Sequence, residues 1–340
     1  MEHRPLGRTG VSVSKFCLGA MMFGDWGNKD HDESIRIIHR ALDSGINVID
    51  TADVYAQGES EEIVGKALAD GRRDDIILAT KFHGAMGDDP NRQGSSRRWI
   101  IREIEDSLRR LGTDWIDLYQ VHRPDPRTDI GETLSALSDL VHQGKVRYIG
   151  SSTFPASQIV EAQWTARDQR LQRFVTEQPP YSILVRGVEA DVLPTCARHG
   201  MAVMSYSPLT GGWLSGRWRK DAGQQSSSRA SRLPERFDLA NPYNQRKLDA
   251  VEELAKLADE AGLTLIQLAI GFAQSHPAIT SPLIGPRTME HLETQLAASD
   301  VVLTDEVLDR IDEIVAPGTT INPADSSFNN PDLEPAARRR

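Results

Sequence analysis

Four ionisable side chains that could together transfer a proton follow three successive apolar segments of the chain. Asp50 and Tyr55 lie in V-I-D-T-A-D-V-Y, Lys81 ends I-I-L-A-T-K, and His122 ends I-D-L-Y-Q-V-H. A β-branched apolar run of this kind is typical of a buried strand. Alone, each side chain has a simpler explanation. Asp50 could cap a helix and Tyr55 could be a partly hydrated aromatic. Lys81 could form a structural ion pair, and His122 could be a hydrogen-bonded core histidine. The complete set, at successive strand ends, favours a catalytic site.

The contexts D-T-A-D-V-Y, A-T-K-F and Q-V-H resemble, in order and in surroundings, the catalytic tetrad of the aldo-keto reductases. The resemblance covers nearly the whole chain and weakens only between Ser207 and Gln245 and after Pro317. It points to the branch of bacterial members and of proteins similar to channel β-subunits. It implies an NADPH-dependent enzyme that reduces aldehydes or ketones to alcohols by hydride transfer.

During such a reduction negative charge develops on the carbonyl oxygen, so a proton or a strong hydrogen bond must be supplied there. The resemblance makes Tyr55 the general acid, and a free tyrosine keeps its proton at neutral pH because its pKa is about 10. Lys81 makes Tyr55 a better acid by stabilising the phenolate, and Asp50 orients Lys81. His122 donates a second hydrogen bond to the carbonyl oxygen.

Strand-like and helix-like segments alternate through about eight cycles, after a first segment, Arg4 to Val13, whose pattern predicts a hairpin. This alternation predicts an α/β protein with a parallel sheet, and eight cycles favour a closed (β/α)8 TIM barrel. An open doubly wound sheet is the alternative, but no G-x-G-x-x-G follows the first strand or any other. The barrel would place the strand-end residues at its C-terminal face, where the active sites of such barrels lie.

We expect one barrel domain over residues 1–340, with an N-terminal hairpin and extra C-terminal helices. Apolar spacing predicts, among other helices, one from Val188 to Arg198 and one from Lys247 to Ala261. The segment 207–245 is rich in Gly, Ser and Arg and shows little periodicity, which predicts a long cofactor and substrate loop. The segment 317–340 is expected to be a tail that ends in three arginines.

Composition excludes several classes of protein. The 340 residues are 39% hydrophobic and 26% charged, as in ordinary globular proteins, and a net charge of −10 argues against a general nucleic-acid binder. Two cysteines, Cys17 and Cys196, form neither a disulfide framework nor a metal-binding pattern. The first residues lack an apolar signal segment, and no apolar run is long enough to span a membrane. We therefore expect a cytoplasmic protein without a metal, and its oligomeric state stays open.

By resemblance, the nicotinamide end of NADPH would be held by residues that follow the strands. Ser152 matches the family serine that binds the carboxamide, Thr153 stands where the family often has Asn, and Gln178 suits the same amide. Tyr181 would stack on the nicotinamide ring. The Tyr206 to Leu209 segment resembles the loop that covers the pyrophosphate. The full cofactor prediction comprises Gly19, Ala20, Met21, Asp50, Ser152, Thr153, Gln178, Tyr181, Tyr206, Ser207, Pro208, Leu209, Gly211, Gly216, Arg217, Ile284, Gly285, Arg287, His291, Thr294 and Gln295.

Arg287 carries the prediction of NADPH over NADH. It follows the eighth predicted strand and precedes a helix, and a helix N-terminus at this point of a barrel binds anions readily. Its guanidinium can pair with the 2′-phosphate in bidentate fashion. The alternative is that Arg287 points into solvent and pairs with Glu290. The glycines around Gly211 could likewise form a phosphate clamp or simply a flexible loop.

The substrate is predicted only as a small carbonyl compound. Tyr55, His122, Trp26, Phe82 and Phe154 are the predicted substrate-binding residues, and Met21, Phe23 and Trp213 could add to an apolar wall. Each aromatic could equally be barrel packing, and sugars, aromatic aldehydes and keto esters all remain possible. A cofactor-binding regulatory subunit is an alternative function, although such members often lack the histidine. A barrel isomerase or lyase with Lys81 as a Schiff base would leave Arg287 without a role.

Overall fold

The apolar segments of the sequence form the strands of a parallel sheet in the computed structural model, which describes residues 1–69, 71–225, 228–327 and 335–338. A two-stranded antiparallel hairpin comes first, as predicted. The strands are β1 His3–Pro5, β2 Ser12–Ser14, β3 Cys17–Gly19, β4 Val48–Asp50, β5 Ile77–Phe82, β6 Ile116–Val121, β7 Val146–Ser152, β8 Thr176–Gln178, β9 Ala202–Val203 and β10 Leu283–Ile284.

The eight parallel strands β3 to β10 form a sheet that closes on itself. The order within the sheet is β10-β3-β4-β5-β6-β7-β8-β9, so the last strand pairs with the first. The remaining gap is bridged by backbone hydrogen bonds from Leu283 N to Ser205 O (2.7 Å) and from Thr280 N to Val203 O (2.9 Å). This arrangement confirms the predicted (β/α)8 barrel and excludes an open doubly wound sheet.

The hairpin covers the N-terminal end of the barrel. Leu6 and Val13 are buried in the same apolar cluster as Val48, Ala79 and Leu118, which point into the barrel. Gly7 has φ +57, and a Cβ built there would lie 2.8 Å from the carbonyl oxygen of Gly200, just before β9. The hairpin therefore packs its backbone closely against this end, and the C-terminal ends of the strands remain open for a site.

Helices follow the strands and surround the barrel. The long helix after β5 shows how the sequence sets the ends of such a helix. Ser96 accepts a hydrogen bond from Trp99 N at its start, and Gly112 ends it with φ +62. The helices are α1 His31–Asp43, α2 Glu59–Leu68, α3 Arg97–Leu111, α4 Ile130–His142, α5 Ala156–Asp168, α6 Val192–His199, α7 Ser228–Arg232, α8 Pro242–Glu260, α9 Leu265–Ser275, α10 Met289–Leu296, α11 Asp305–Ile314 and α12 Pro335–Arg338.

Three regions differ from the sequence-based expectations. The helix expected over Val188 to Arg198 is a 3-10 turn, Gly187–Glu189, followed by α6. The helix expected from Lys247 begins earlier, at Pro242, because Asn241 caps it and proline suits the first helical position. The segment 207–245 contains the 3-10 turns Thr210–Ser215 and Pro234–Arg236 and the short helix α7; Ser226 and Ser227 lie outside the described residues.

The first part of the segment 317–340 packs against the barrel domain. Asn322 and Asp325 are buried, and Asn322 donates to the side chain of Asn244 at 2.8 Å. The ammonium of Lys247, which is itself fully buried, donates to Asp325 at 2.8 Å. Residues 328–334 and 339–340 of the predicted tail lie outside the described residues. Within the described chain, no helix has both the length and the apolar character of a membrane span.

Candidate active site

The four predicted catalytic residues meet at the C-terminal end of the barrel. Asp50 ends β4, Lys81 lies on β5 and His122 directly follows β6. The parallel register pairs Asp50 with Ala79 and Lys81 with Gln120, which brings these positions to one level of the sheet. Tyr55 begins the 3-10 turn Tyr55–Gly58 after β4.

Lys81 links these residues through its ammonium group. It donates to the carboxylate of Asp50, to the carbonyl oxygen of Thr51 at 2.8 Å and to the hydroxyl of Tyr55 at 3.4 Å. The other oxygen of Asp50 accepts hydrogen bonds from Gln120 at 3.0 Å and Gln178 at 2.9 Å. Asp50 is thus held from both sides, and Lys81 has a fixed direction toward Tyr55.

Burial and neighbouring charges set the protonation states. Burial raises the pKa of Tyr55, and the charge of Lys81 offsets only part of that rise, so the phenol keeps its proton at neutral pH. Burial lowers the pKa of Lys81, but the charges of Asp50 and Tyr55 and the hydrogen bonds to both together outweigh it, so the net pKa is raised. Burial, together with the charges of Arg123 and Lys81, lowers the pKa of His122 well below its usual value. The site therefore contains a neutral phenol, an ammonium and a neutral imidazole.

A cavity of about 600 Å³ opens above these residues. Its catalytic end is aromatic: the ring of Tyr55 lies 5.6 Å from that of His122, edge to face, and 5.9 Å from that of Trp26. Most of the predicted site residues line this one cavity: Gly19, Met21, Trp26, Asp50, Tyr55, His122, Ser152, Gln178, Tyr181, Tyr206, Ser207, Pro208, Leu209, Gly211, Arg217, Ile284, Gly285, Arg287, His291, Thr294 and Gln295.

The structure does not bring the remaining predicted residues to the cavity wall. Lys81 lies behind Tyr55 and Asp50 with no exposed surface, and Ala20 is also fully buried. Phe82 packs in the core, 4.8 Å from the ring of Tyr119. Phe154 packs on Phe174 and lines a separate cavity of about 220 Å³. Thr153, Gly216, Phe23 and Trp213 are likewise absent from the wall of the large cavity.

Residues at the ends of β7 and β8, and just after them, lie beside the catalytic group. The hydroxyl of Ser152 donates to the carbonyl oxygen of Gln178 at 2.9 Å. Thr153 has φ +61, which is strained for a β-branched residue, and its hydroxyl accepts from Arg123 at 3.0 Å. Tyr181 donates to Glu189 at 2.7 Å, and this bond fixes its ring against the cavity.

The opposite end of the cavity is basic. Arg217 and Arg287 line it together with His291. Burial lowers the pKa of His291, the charges of Arg287 and Arg217 lower it further, and the charge of Glu290 opposes them. Arg287 is exposed, and among the described residues no ion pair joins it to Glu290. The turn Thr210–Ser215 borders the same cavity, with φ +66 at Gly211 and φ +105 at Gly212.

This end of the cavity suits the phosphates of a dinucleotide. Two guanidinium groups and an imidazole line the same space without carboxylate partners among the described ion pairs. The left-handed glycines let backbone amides approach an anion closely. The donor set therefore fits a phosphorylated cofactor whose other end reaches the catalytic residues.

Sequence reasoning missed several residues of the site. Gln120 bonds Asp50, and its position two residues before His122 was a usable signal because alternate strand residues share a face. Arg123, directly after His122, also lines the cavity. Met22, Val54, Thr210 and Leu283 were also missed, although each is next to a predicted residue or predicted strand. A further group carries no local signal, because contacts distant in sequence bring its members to the wall: Arg229, Leu233, Arg236, Phe237, Ile266, Asp325 and Ser327.

Comparison with known proteins agrees with this geometry. A sequence model described as the Aldo/keto reductase family matches residues 15–316. YrpG, an uncharacterised oxidoreductase of Bacillus subtilis, is 39% identical over 324 residues, which cover 92% of this chain and 96% of the relative. A probable voltage-gated potassium channel subunit beta of Arabidopsis thaliana is 36% identical over 330 residues, 93% of this chain and 97% of the relative. A versiconal hemiacetal acetate reductase of Aspergillus parasiticus is 33% identical over 340 residues, 93% of this chain and 98% of the relative.

The chain belongs to the aldo/keto reductase family. Members of this family generally use NAD(P)H and act on small-molecule carbonyl compounds. The class of protein is therefore an oxidoreductase built on a (β/α)8 barrel.

Proposed function

We propose that this protein is an NADPH-dependent reductase of aldehydes or ketones, with Tyr55 as the general acid. The observation that carries the proposal is the contact between the Tyr55 hydroxyl and the buried ammonium of Lys81, 3.4 Å away, at the floor of the large cavity. A neutral phenol beside a fixed cation is the arrangement that a carbonyl oxygen needs while negative charge develops on it.

Each residue has one task in this mechanism. The bound cofactor supplies the hydride to the carbonyl carbon. Tyr55 gives its proton to the carbonyl oxygen, and Lys81 stabilises the phenolate that remains. Asp50, held by Gln120 and Gln178, fixes the position of Lys81. The neutral ring of His122 donates a second hydrogen bond to the same oxygen.

The pKa shifts of Tyr55 and His122 predict how the rate of carbonyl reduction depends on pH. Burial raises the pKa of Tyr55, so the acid stays protonated through the neutral range and loses its proton only in alkaline solution. The lowered pKa of His122 keeps the imidazole neutral over the same range. We therefore expect carbonyl reduction to be steady near neutral pH and to fall on the alkaline side.

The cofactor would lie along the cavity, with its nicotinamide near Ser152, Gln178 and Tyr181. Arg217, Arg287 and His291 form a basic group at the other end that suits the 2′-phosphate of NADPH, which NADH lacks. Two buried free cysteines, Cys17 and Cys196, are compatible with the cytoplasmic location that we propose.

A turnover assay tests the proposal. The protein is mixed with NADPH and with sugars, aromatic aldehydes and keto esters in turn, and the NADPH absorbance is followed. We expect many turnovers per protein molecule with at least one class of carbonyl compound. Binding of NADPH without oxidation of more than one equivalent by any of these compounds would contradict a reductase.

A cofactor-binding regulatory subunit is the second candidate function. It is favoured by relatives whose names are probable or putative potassium channel subunits beta, in a plant and in a fission yeast. This candidate predicts tight NADPH binding with only a slow, single oxidation. The same assay distinguishes the two candidates, because binding and turnover are measured on one sample.

A further inference from the structure

A second acidic residue of the D-T-A-D-V-Y stretch has no task in the mechanism above. Asp53 is fully buried, three residues after the end of β4 and two residues before Tyr55. One oxygen of its carboxyl group accepts a hydrogen bond from Val54 N at 2.6 Å. The other oxygen has no hydrogen-bond partner among the residues that the structure describes.

Asp53 belongs to a buried group of acids between the sheet and helices α2 and α3. We call Asp53, Glu61, Glu103 and Arg110 the acid cluster. Glu61 accepts from the hydroxyl of Thr80 at 2.6 Å and from Arg110 at 2.6 Å, and Glu103 accepts from Arg110 with one oxygen. Two of the three carboxyl groups thus bond the one guanidinium, and Asp53 does not.

Several polar atoms in and beside the acid cluster lack partners in the described part of the chain. The second oxygen of Glu103 is one of them, and the hydroxyl of Tyr119, on β6, is another. The indole N–H of Trp99, one turn before Glu103 on α3, is a third. Burial disfavours the charged form of a carboxyl group whose oxygen receives no hydrogen bond from the protein.

Burial and the repulsion between its carboxyl groups favour a proton on the acid cluster near neutral pH. Glu61, from α2, and Glu103, from α3, face Asp53, as does Tyr119 from β6; Arg110 is the cation of the group. Burial raises the pKa of Asp53 well above its usual value, and the charges of Glu103 and Glu61 raise it further. Burial also raises the pKa of Glu103 to about 7, with smaller contributions from Glu61 and Asp106 and against the effect of Arg110.

The acid cluster is joined directly to the turn that carries Tyr55. The backbone N–H of Asp53 donates to the carbonyl oxygen of Lys81 at 3.0 Å. After Tyr55 the backbone is left-handed at Ala56 (φ +48) and Gln57 (φ +56). Gly58 then packs on Arg110, where a Cβ would lie 2.6 Å from Cδ of that arginine. The turn is therefore held at both ends, by Asp53 and by Arg110.

We propose that Asp53 is a neutral carboxylic acid in the folded protein at neutral pH and that, in this form, it is a positioning residue for Tyr55. An ionised Asp53 would add a further uncompensated charge to the acid cluster and would displace the turn. The activity part of this inference rests on the proposed reductase function, whereas the protonation part does not.

The sign of the pH effect follows from linkage. An aspartic acid of the unfolded chain releases its proton near pH 4, whereas folded Asp53 keeps its own to a much higher pH. Folding then takes up a proton between these two values, so stability falls as the pH rises through this window. Asp53→Asn cannot ionise and removes this contribution.

The test compares Asp53→Asn and Asp53→Ala with the wild type between pH 6 and 9. We expect the Tm of Asp53→Asn to rise relative to wild type as the pH increases. We expect Asp53→Ala to lower kcat about tenfold or more while NADPH affinity stays within about threefold. We expect Asp53→Asn to keep most of the wild-type kcat.

Asp117→Asn is the matched control. Asp117 pairs with Arg73 at 2.7 Å, so the loss of its charge should lower the Tm at every pH of the range.

A second measurement does not depend on the folding of any Asp53 variant. Infrared spectra of the wild type at pH 7 should show the carbonyl band of a neutral carboxylic acid, assigned by isotopic labelling of aspartate. A labelled wild type without that band, or an Asp53→Asn variant that loses as much Tm as Asp117→Asn at every pH, would overturn the proposal. If no carbonyl compound is reduced, the reductase proposal fails, whereas the Tm and infrared results still decide the protonation of Asp53.

Discussion

The two ends of the large cavity are built in different ways. We call Asp50, Tyr55, Lys81 and His122 the strand end, and Arg217, Arg287 and His291 the loop end. At the strand end Asp50 is 1% exposed and Lys81 has no exposed surface, and each is bonded to neighbours on adjacent strands. At the loop end Arg287 and His291 are exposed, on or next to the first turn of α10.

This difference assigns different tasks to the two ends. Buried charges cannot reorient freely and are little screened, so the strand end suits a reaction that needs a fixed field. Exposed guanidinium groups are hydrated and mobile, and each contributes only modestly to the binding of an anion. Substitutions at the strand end should therefore change turnover by orders of magnitude, and substitutions at the loop end should change cofactor affinity by about a decade.

Lys81→Met should have the largest effect. It removes the cation that stabilises the Tyr55 phenolate and leaves Asp50 buried without its partner, which can cost about 3–5 kcal/mol of stability. We expect kcat to fall by at least the 10²–10⁴-fold typical of a lost general acid. Stopped-flow turnover and thermal unfolding measure both effects.

The exposed pair of Lys145 with Glu105 offers the control for that variant. Lys145→Met should leave kcat and its pH profile unchanged, since this pair lies at the surface. A pH–rate profile of Lys81→Met that coincides with the wild-type profile would contradict the coupling of Lys81 to Tyr55.

Tyr55→Phe should remove most turnover and leave cofactor binding intact. The phenol acts on the carbonyl oxygen, and its loss should lower kcat by about 10²–10⁴-fold. NADPH titration should give a Kd close to the wild-type value. Tyr243→Phe, at an exposed position on α8, is the control. Reduction of an aldehyde within about threefold of the wild-type rate would show that Tyr55 is not the acid.

Arg287→Ala tests the loop end, where we expect a smaller effect. NADPH should bind about tenfold more weakly, or about 1.4 kcal/mol, and NADH should bind as before because it lacks the 2′-phosphate. The two Kd values come from fluorescence titrations. Arg310→Ala removes an exposed arginine that pairs with Glu313 on α11 and should change neither value. If NADPH and NADH binding weakened equally, the result would indicate that Arg217 or His291, and not Arg287, contacts the 2′-phosphate.

Thr153→Asn should have the smallest effect and tests whether the backbone after β7, beside the strand end, is strained. Asparagine adopts φ +61 more readily than a β-branched residue, and its side-chain oxygen can still accept from Arg123. An increase of about 1 kcal/mol in the free energy of unfolding would raise Tm by roughly 2–4 °C. Arg170→Asn, at φ +56 on the surface after α5, is the matched change away from the cavity. A fall in Tm only for Thr153→Asn would mean that the threonine contacts outweigh its backbone strain.

The strand end could be predicted from the sequence because local rules place it there. Each strand alternates its side chains, parallel strands meet at one edge, and a single polar residue after an apolar run is visible in the letters. The apolar spacing of α3 and the glycine that ends it, Gly112, are likewise visible in the sequence. Gln120 was overlooked even though the same alternation applied to it.

The outer wall could not be predicted for a physical reason. Arg229 and Asp325 reach the cavity through packing between segments far apart in the sequence, and no local period records such contacts. Lys247 shows the limit clearly. It lies in an ordinary helical pattern, yet it is buried 4.3 Å from the ring of Trp213 and bonded to Asp325. Phe82 and Phe154 show the opposite error: both were predicted to bind substrate, and both pack away from the large cavity. The sequence does not distinguish an apolar residue that lines a cavity from one that packs in the core.

The pairing of β3 with β10 has a consequence for the synthesis of this protein on the ribosome. Cys17 and Leu283 are partners in the sheet although they come from opposite parts of the sequence. At about 5–20 residues per second, the edge of β3 is translated roughly tens of seconds before the strand that covers it. During that interval the growing chain exposes an unpaired strand that can associate with other chains. We therefore expect the yield of native protein in cells to depend on temperature and on chaperones that bind nascent chains more strongly than the stability of the finished barrel would suggest.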